Sequence, residues 1–121
     1  MIAHERFEAW KVSHELALEI YKFSDSWPSS ERYQFTAQVR RAALSIPTNI
    51  AEGAAKRGRR EFRRYLDIAN GSLAELAYLL RFGKDRGVIA PEHFASLEDR
   101  RDRAGRLTWR LYASMASPRT D

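Results

Sequence analysis

The sequence contains no cysteine. That excludes disulfides, zinc–thiolate sites and iron–sulfur clusters, and it fits a reducing compartment. No stretch comes near the ~20 consecutive apolar residues that a membrane-crossing helix needs. The first residues, Met1 to Glu15, are charged and lack the apolar run of a signal peptide. These absences lead us to expect a soluble, cytoplasmic protein with no membrane partner. No segment alternates apolar and polar residues for long enough to suggest a strand. Reactive constellations are missing as well. His4, His14 and His93 are far apart, and no glutamate is followed by histidine three residues on, as carboxylate-bridged metal bundles require. There is no glycine-flanked serine elbow and no glycine-rich phosphate loop after a strand. The expectation is a protein without catalytic residues, cofactor or metal.

What is present is charge and helical periodicity. The chain has 121 residues, one domain's length and enough for a core without staples. We expect a single domain over residues 1–116 and a frayed tail over 117–121. The net charge is +5, and the window Lys56 to Arg64 alone carries +5. It holds Lys56, Arg57, Arg59, Arg60, Arg63 and Arg64 against one anion, Glu61; the rest of the chain balances to zero. Such a block attracts polyanions. A solvated helix start that keeps the protein soluble is the plainer reading of the same residues.

Four helical patterns follow one another. The first, about Arg6 to Asp25, has an apolar face of Trp10, Leu16, Ala17, Ile20 and Phe23, continued by Trp27, and Pro28 ends it. The second runs from near Ser30 to about Arg57, with Tyr33, Ala37, Arg40, Ala43, Leu44, Pro47, Ile50, Ala51 and Ala54 at three- and four-residue spacing. Pro47 removes the donor that would meet the Ala43 carbonyl, so a kink is expected there. Two helices joined at Ile46-Pro47 are the alternative, but the apolar spacing passes through Pro47 without a phase change. Gly58 suits either the left-handed end of helix two or the N-cap of helix three. Helix three, about Arg59 to Arg86, repeats Phe62, Leu66, Ala69, Leu73, Leu76 and Leu80, a bundle seam. That unbroken phase overrules the turn signal of Asn70-Gly71-Ser72, and Gly71 is read as a close helix contact. Helix four starts at Pro91 and reaches about Met115, using Phe94, Leu97, Ala104, Leu107, Leu111 and Met115. Short connections between four helices make an all-α, antiparallel up-down-up-down four-helix bundle, with the basic block at the tip of the hairpin between helices two and three.

Arg40, Asn49 and Glu52 lie near Pro47 on a mostly apolar helix. They read as a structural polar cluster that satisfies the kinked backbone and fixes register. A ligand site there is the competing reading.

One run is more specific than any periodicity. Gln38-Val39-Arg40-Arg41-Ala42-Ala43, Ser45-Ile46-Pro47, Asn49-Ile50-Ala51-Glu52-Gly53, Glu61-Phe62, Ile68-Ala69 and Gly71-Ser72-Leu73-Ala74-Glu75-Leu76, with Trp10, Ile20-Tyr21 and Tyr33, resemble a bacterial family. Its members are the four-helix-bundle proteins encoded in intervening sequences of 23S ribosomal RNA genes, and the accessory variability determinant proteins of diversity-generating retroelements are similar to them. The resemblance implies a ring-like homopentamer of four-helix bundles with no catalytic residues. The retroelement relatives imply a basic barrel that engages a reverse transcriptase and nucleic acid. The family has serine or threonine where this chain has Gly58, a change worth roughly a few tenths of a kcal/mol at an N-cap. The expected role is therefore an oligomeric accessory protein that binds RNA or DNA through Lys56, Arg57, Arg59, Arg60, Arg63 and Arg64. A protein–protein scaffold without nucleic-acid binding is the alternative.

Overall fold

The computed structural model describes residues 2–116. The tail expected at 117–121 lies outside the described residues. The elements are α1 (Glu8–Ser24), α2 (Phe35–Ala55), α3 (Arg59–Arg86) and α4 (Pro91–Ser114), with 3₁₀ turns at Ala3–Arg6 and Ser29–Glu31. Among the described residues there is no strand.

Three of the helices start close to where composition places them, and α2 does not. Pro28 is extended, Ser29–Glu31 closes a 3₁₀ turn, and the backbone of Gln34 is non-helical before α2 begins at Phe35. The turn lets the chain bury Trp27 and Phe35 against each other, their rings 5.8 Å apart. Tyr33 is stranded in this connection, 85% exposed, instead of facing the core. The apolar stripe of α2 is also rotated from the expected one. It runs through Phe35, Val39, Ala42, Ile46, Ile50 and Gly53, and leaves Leu44 outside.

α2 is one continuous helix with Pro47 buried inside it. Near the proline the Asn49 side-chain amide donates to the Ser45 carbonyl (2.8 Å) and hydroxyl (3.0 Å). The Ser45 hydroxyl in turn meets that of Ser72 on α3 at 2.7 Å. Gly58 is the N-cap of α3 and not the terminator of α2, which gives way at Lys56. Its φ of +83° and ψ of 157° lie in a region essentially reserved for glycine. Its carbonyl accepts the Phe62 N–H at 3.3 Å. α3 runs unbroken through Asn70-Gly71-Ser72, as its phase requires. Gly87, left-handed at φ +84°, ends it, while the N–H groups of Val88 and Ile89 close on the Gly83 carbonyl. Pro91 then opens α4 from an extended Ala90.

α1 and α3 each pack on α2 and α4, giving a square four-helix bundle. Contacts between α2 and α3 descend in antiparallel order: Gly53 beside Phe62 and Tyr65, Ser45 on Ser72, Phe35 beside Phe82. α4 runs back along α3 in the same sense, from Lys84 over Phe94 to Arg63 over Tyr112. The seam of α3 (Phe62, Leu66, Ala69, Leu73, Leu76 and Leu80) is buried, and Leu16, Ile20, Ile46, Ile50 and Leu97 fill the centre with it. Gly71 is not a close contact, since a Cβ there would meet nothing within 4 Å. Close approaches are at Gly53, where a Cβ would stand 2.7 Å from the Tyr65 Cβ and 2.9 Å from the Phe62 ring, and at Gly83, where it would stand 2.6 Å from the Ile89 and Phe35 side chains.

Candidate nucleic-acid interface

The connection between α2 and α3 is three residues, Lys56 to Gly58, too short for anything but a hairpin. It puts the end of α2 and the first turn of α3, with the basic block they carry, at one end of the bundle. The six cations do not share one environment. Arg57 and Arg60 are exposed and form no ion pair or hydrogen bond among the described residues. Arg59 donates to the Ser114 carbonyl at 2.5 Å and so satisfies the open end of α4. The Arg63 guanidinium lies 4.2 Å over the Tyr112 ring. Arg64 reaches both oxygens of Glu61 at 3.3 Å and lies 4.7 Å over the Tyr65 ring. Its hydrogen bonds to Glu61 raise its pKa above the ordinary arginine value, so its charge is never in question. The Lys56 ammonium sits 5.6 Å from the centre of the Tyr65 ring, at the outer limit of such contacts.

Two of the six are thus free to meet an incoming anion, and the others are tethered with their charge still in place. Beside them a groove of about 910 Å³ opens between the first turns of α3 and the last turn of α4, floored by Tyr112 and Met115.

Arg40, Asn49 and Glu52 do not form a cluster. Nine residues turn an α-helix through roughly 180°, so Arg40 and Asn49 face opposite ways. Arg40 reaches α1, where Nε donates to Ser24 Oγ at 2.8 Å and Nη2 to Asp25 Oδ1 at 3.0 Å, with the guanidinium 4.6 Å over Tyr21. That ties α2 to the C-terminal end of α1. Asn49 serves its own helix through Ser45. Glu52 is exposed and has no ion pair among the described residues. The backbone around Pro47 is served by Asn49 alone of the three, and they enclose no common pocket.

A second groove, about 430 Å³, lies further along the α3–α4 seam and escaped the periodicity argument. Asn70 from α3 and Arg101, Arg106, Trp109 and Arg110 from α4 line it. The signal was present in the phase of α4: Trp109 falls off the stripe of Leu97, Ala104, Leu107 and Leu111 and between arginines. His14 stacks on Trp10 with ring centres 5.0 Å apart, and His4 meets the same ring at 4.5 Å, tilted by 53°. Among the described residues no three histidine or acidic side chains converge on a metal position, and no helix is long and apolar enough to cross a membrane.

The family model described as 23S rRNA-intervening sequence protein matches residues 5–110, which include both grooves except for the last turn of α4. The chain belongs to this family. A solved structure from Bacteroides thetaiotaomicron VPI-5482, a protein of unknown function from the S23 ribosomal protein family, is similar across 87% of this chain and 95% of its own, with a TM-score of 0.78. The two sequences are 24% identical, so the likeness shows a shared fold alone. No curated protein matches the chain. The family resemblance carried by Ser45-Ile46-Pro47 and Asn49-Ile50-Ala51-Glu52-Gly53 is therefore established, and with it the four-helix all-α fold.

Proposed function

We propose that this 23S rRNA-intervening sequence protein is an oligomeric, non-enzymatic accessory protein that binds nucleic acid through the α2–α3 hairpin tip. The single observation that carries this reading is the placement of Arg57 and Arg60, exposed at one end of the bundle beside four tethered cations and without an acidic partner. Charge left uncompensated in one place is what phosphate recognition uses. Assembly as a homopentamer, which the family resemblance implies, would repeat the tip around a ring and raise the net charge to about +25. RNA and DNA both satisfy this chemistry, and a reverse transcriptase bound to its template is one setting for it.

Labelled RNA and DNA titrated at several salt concentrations test the reading. Affinity should fall steeply with salt, and Arg57→Ala/Arg60→Ala should weaken binding and reduce the salt slope by about two for each protomer engaged. These two arginines are the sharper targets, because removing Arg59 or Arg63 would also disturb the end of α4 and Tyr112. A flat salt response, or unchanged affinity in the double variant, rejects nucleic-acid binding at the tip.

A second reading has its own support. Tyr33, Tyr78 and Phe82 are exposed around a groove of about 590 Å³ on the outer face of α2 and α3. Exposed aromatics of this kind suit a protein surface, either a further copy of the chain or a scaffolded partner. Solution mass with and without Tyr78→Ser separates self-association from capture of another protein. A partner retained after nuclease treatment favours the scaffold.

A further inference from the structure

We propose that the α3–α4 face takes up single-stranded nucleic acid, with a base stacked on the indole of Trp109 and the flanking phosphates held by arginines of the two adjoining grooves. This rests on the nucleic-acid reading above and narrows it from any polyanion to one strand form. It also moves the binding surface from the hairpin tip alone to a track along α3 and α4.

Trp109 is 58% exposed although its neighbour Thr108 is fully buried. Packing within the protomer therefore gives no reason for a large indole at the lip of a groove. Its ring meets that of Tyr112 at 5.2 Å. Tyr112 in turn lies under Arg63 and floors the larger groove. The aromatic pair joins the two hollows into one path. Residues 60 to 74 of α3, which border it, rise roughly 21 Å along the helix, room for a short run of nucleotides.

The path is basic as well as aromatic. Seven arginines line its two parts against Glu61, Asp67 and Asp102, a balance of +4 in a chain whose total is +5. Glu61 pairs with Arg64, Asp102 with Arg106, and Glu98 outside the lining with Arg101, which leaves Arg59, Arg60, Arg63 and Arg110 without a carboxylate among the described residues. Two donors on the lining, Arg63 Nε and Asn70 Nδ2, are buried and have no hydrogen-bond partner among the described residues. A buried donor left unpaired is costly, so a small shift of these side chains toward the groove would be favoured once an acceptor lies there.

Phosphate contacts alone would serve a duplex equally well. The aromatic part would not, because a duplex keeps its base faces inside the stack. A cationic groove interleaved with exposed aromatics is the arrangement that suits unstacked bases, with little sequence preference.

The test uses the full chain and three probes: a 12-mer single-stranded RNA, the DNA of the same sequence, and the corresponding duplex. Quenching of the intrinsic fluorescence reports mainly on Trp109, since Trp27 is buried and Trp10 lies on α1, which does not pack on α3. Both single strands should quench it and bind more tightly than the duplex, and the RNA and DNA arms decide which source is preferred. Trp109→Ala should weaken single-strand binding by about five- to 150-fold and change duplex binding less than about twofold. Trp109→Phe should recover most of the loss, and circular dichroism should show both variants folded. Equal affinity for duplex and single strand, or single-strand affinity untouched in Trp109→Ala, overturns the stacking proposal while salt-dependent binding keeps the tip reading intact. Loss of the native solution mass in Trp109→Ala, with oligonucleotide affinity unchanged, assigns the indole to a subunit contact and also overturns it. Absence of salt-dependent binding to every probe rejects the underlying reading and this inference with it.

Discussion

Helix α3 packs against its two neighbours in two different ways. Toward α2 the contact is close, with a small or hydroxyl residue on at least one side of each meeting point. Gly53 lies against Phe62 and Tyr65, Ser45 and Ser72 share a hydrogen bond, and Gly83 sits under Ile89 and Phe35. Toward α4 the inner side of the contact is apolar, but the outer side is held open by arginines, aromatic rings and intrahelical ion pairs such as Arg101 with Glu98. From Gly53 to Ser72 the first seam is closed, with little tolerance for added atoms, and its groove of about 590 Å³ lies only further along, by Tyr33 and Phe82. The second leaves hollows of about 910 and 430 Å³ lined with donors. One helix thus differs by face, with close packing on the α2 side and arginine-lined hollows on the α4 side.

The strongest way to break this contrast is to add one methyl group. Gly53→Ala places a Cβ within 3 Å of the Tyr65 Cβ and the Phe62 ring. The first of these sits on a helix backbone and cannot swing aside. The overpacking should cost about 1–3 kcal/mol, more than the helix-propensity gain of roughly 1 kcal/mol. Urea or thermal unfolding should show a net loss; a gain would mean that the α2–α3 seam is looser than its geometry. Ser45→Ala ranks next. It leaves the buried Ser72 hydroxyl without its partner and removes one acceptor of Asn49, and should cost about 1–2 kcal/mol. The double change Ser45→Ala/Ser72→Ala should cost less than the sum of its parts, because neither hydroxyl is then orphaned.

How much of this was legible in the sequence follows the same division. The α3 seam was readable because a strong apolar repeat needs no tertiary information, and it even corrected the turn signal of Asn70-Gly71-Ser72. The family run from Ser45 to Gly53 was readable as a pattern. Its physical reasons were not, since the need for glycine at 53 and its absence at 71 depend on which helix lies opposite. The start of α2 was misplaced because Tyr33 lies four residues before Ala37, a helical spacing that arises by accident once Trp27 and Phe35 capture the connection. The polar residues Arg40, Asn49 and Glu52 looked like neighbours along the chain and are separated by the helical turn. The basic block was legible as charge. Its division into free and tethered members was not, because the tethers, Ser114 and Tyr112, come from α4, far along the chain.

Gly71→Ala provides the counterpart to Gly53→Ala on the same α2–α3 hairpin. Nothing lies within 4 Å of the new Cβ, and the residue is mid-helix and exposed. The change should stabilise the protomer by about 0.5–1 kcal/mol. If unfolding shows a loss instead, and the native mass drops with it, a second copy of the chain must approach α3 at Gly71, which would extend the closed seam onto the outer surface.

The smallest expected effect on stability sharpens the contrast most. Arg57→Gln/Arg60→Gln removes two charges that no described residue answers. Surface changes of this kind usually stay within about 0.5 kcal/mol. The melting temperature should therefore hold while the salt-dependent affinity for nucleic acid falls. Arg63→Gln should behave differently, because its guanidinium covers Tyr112 and its loss uncovers a ring as well as a charge. Some stability, on the order of 1 kcal/mol, should go with the affinity. If instead Arg57→Gln/Arg60→Gln costs as much stability as Arg63→Gln, the two arginines answer to a neighbour in the assembled protein, and the free charge at the tip belongs to subunit packing and not to a ligand.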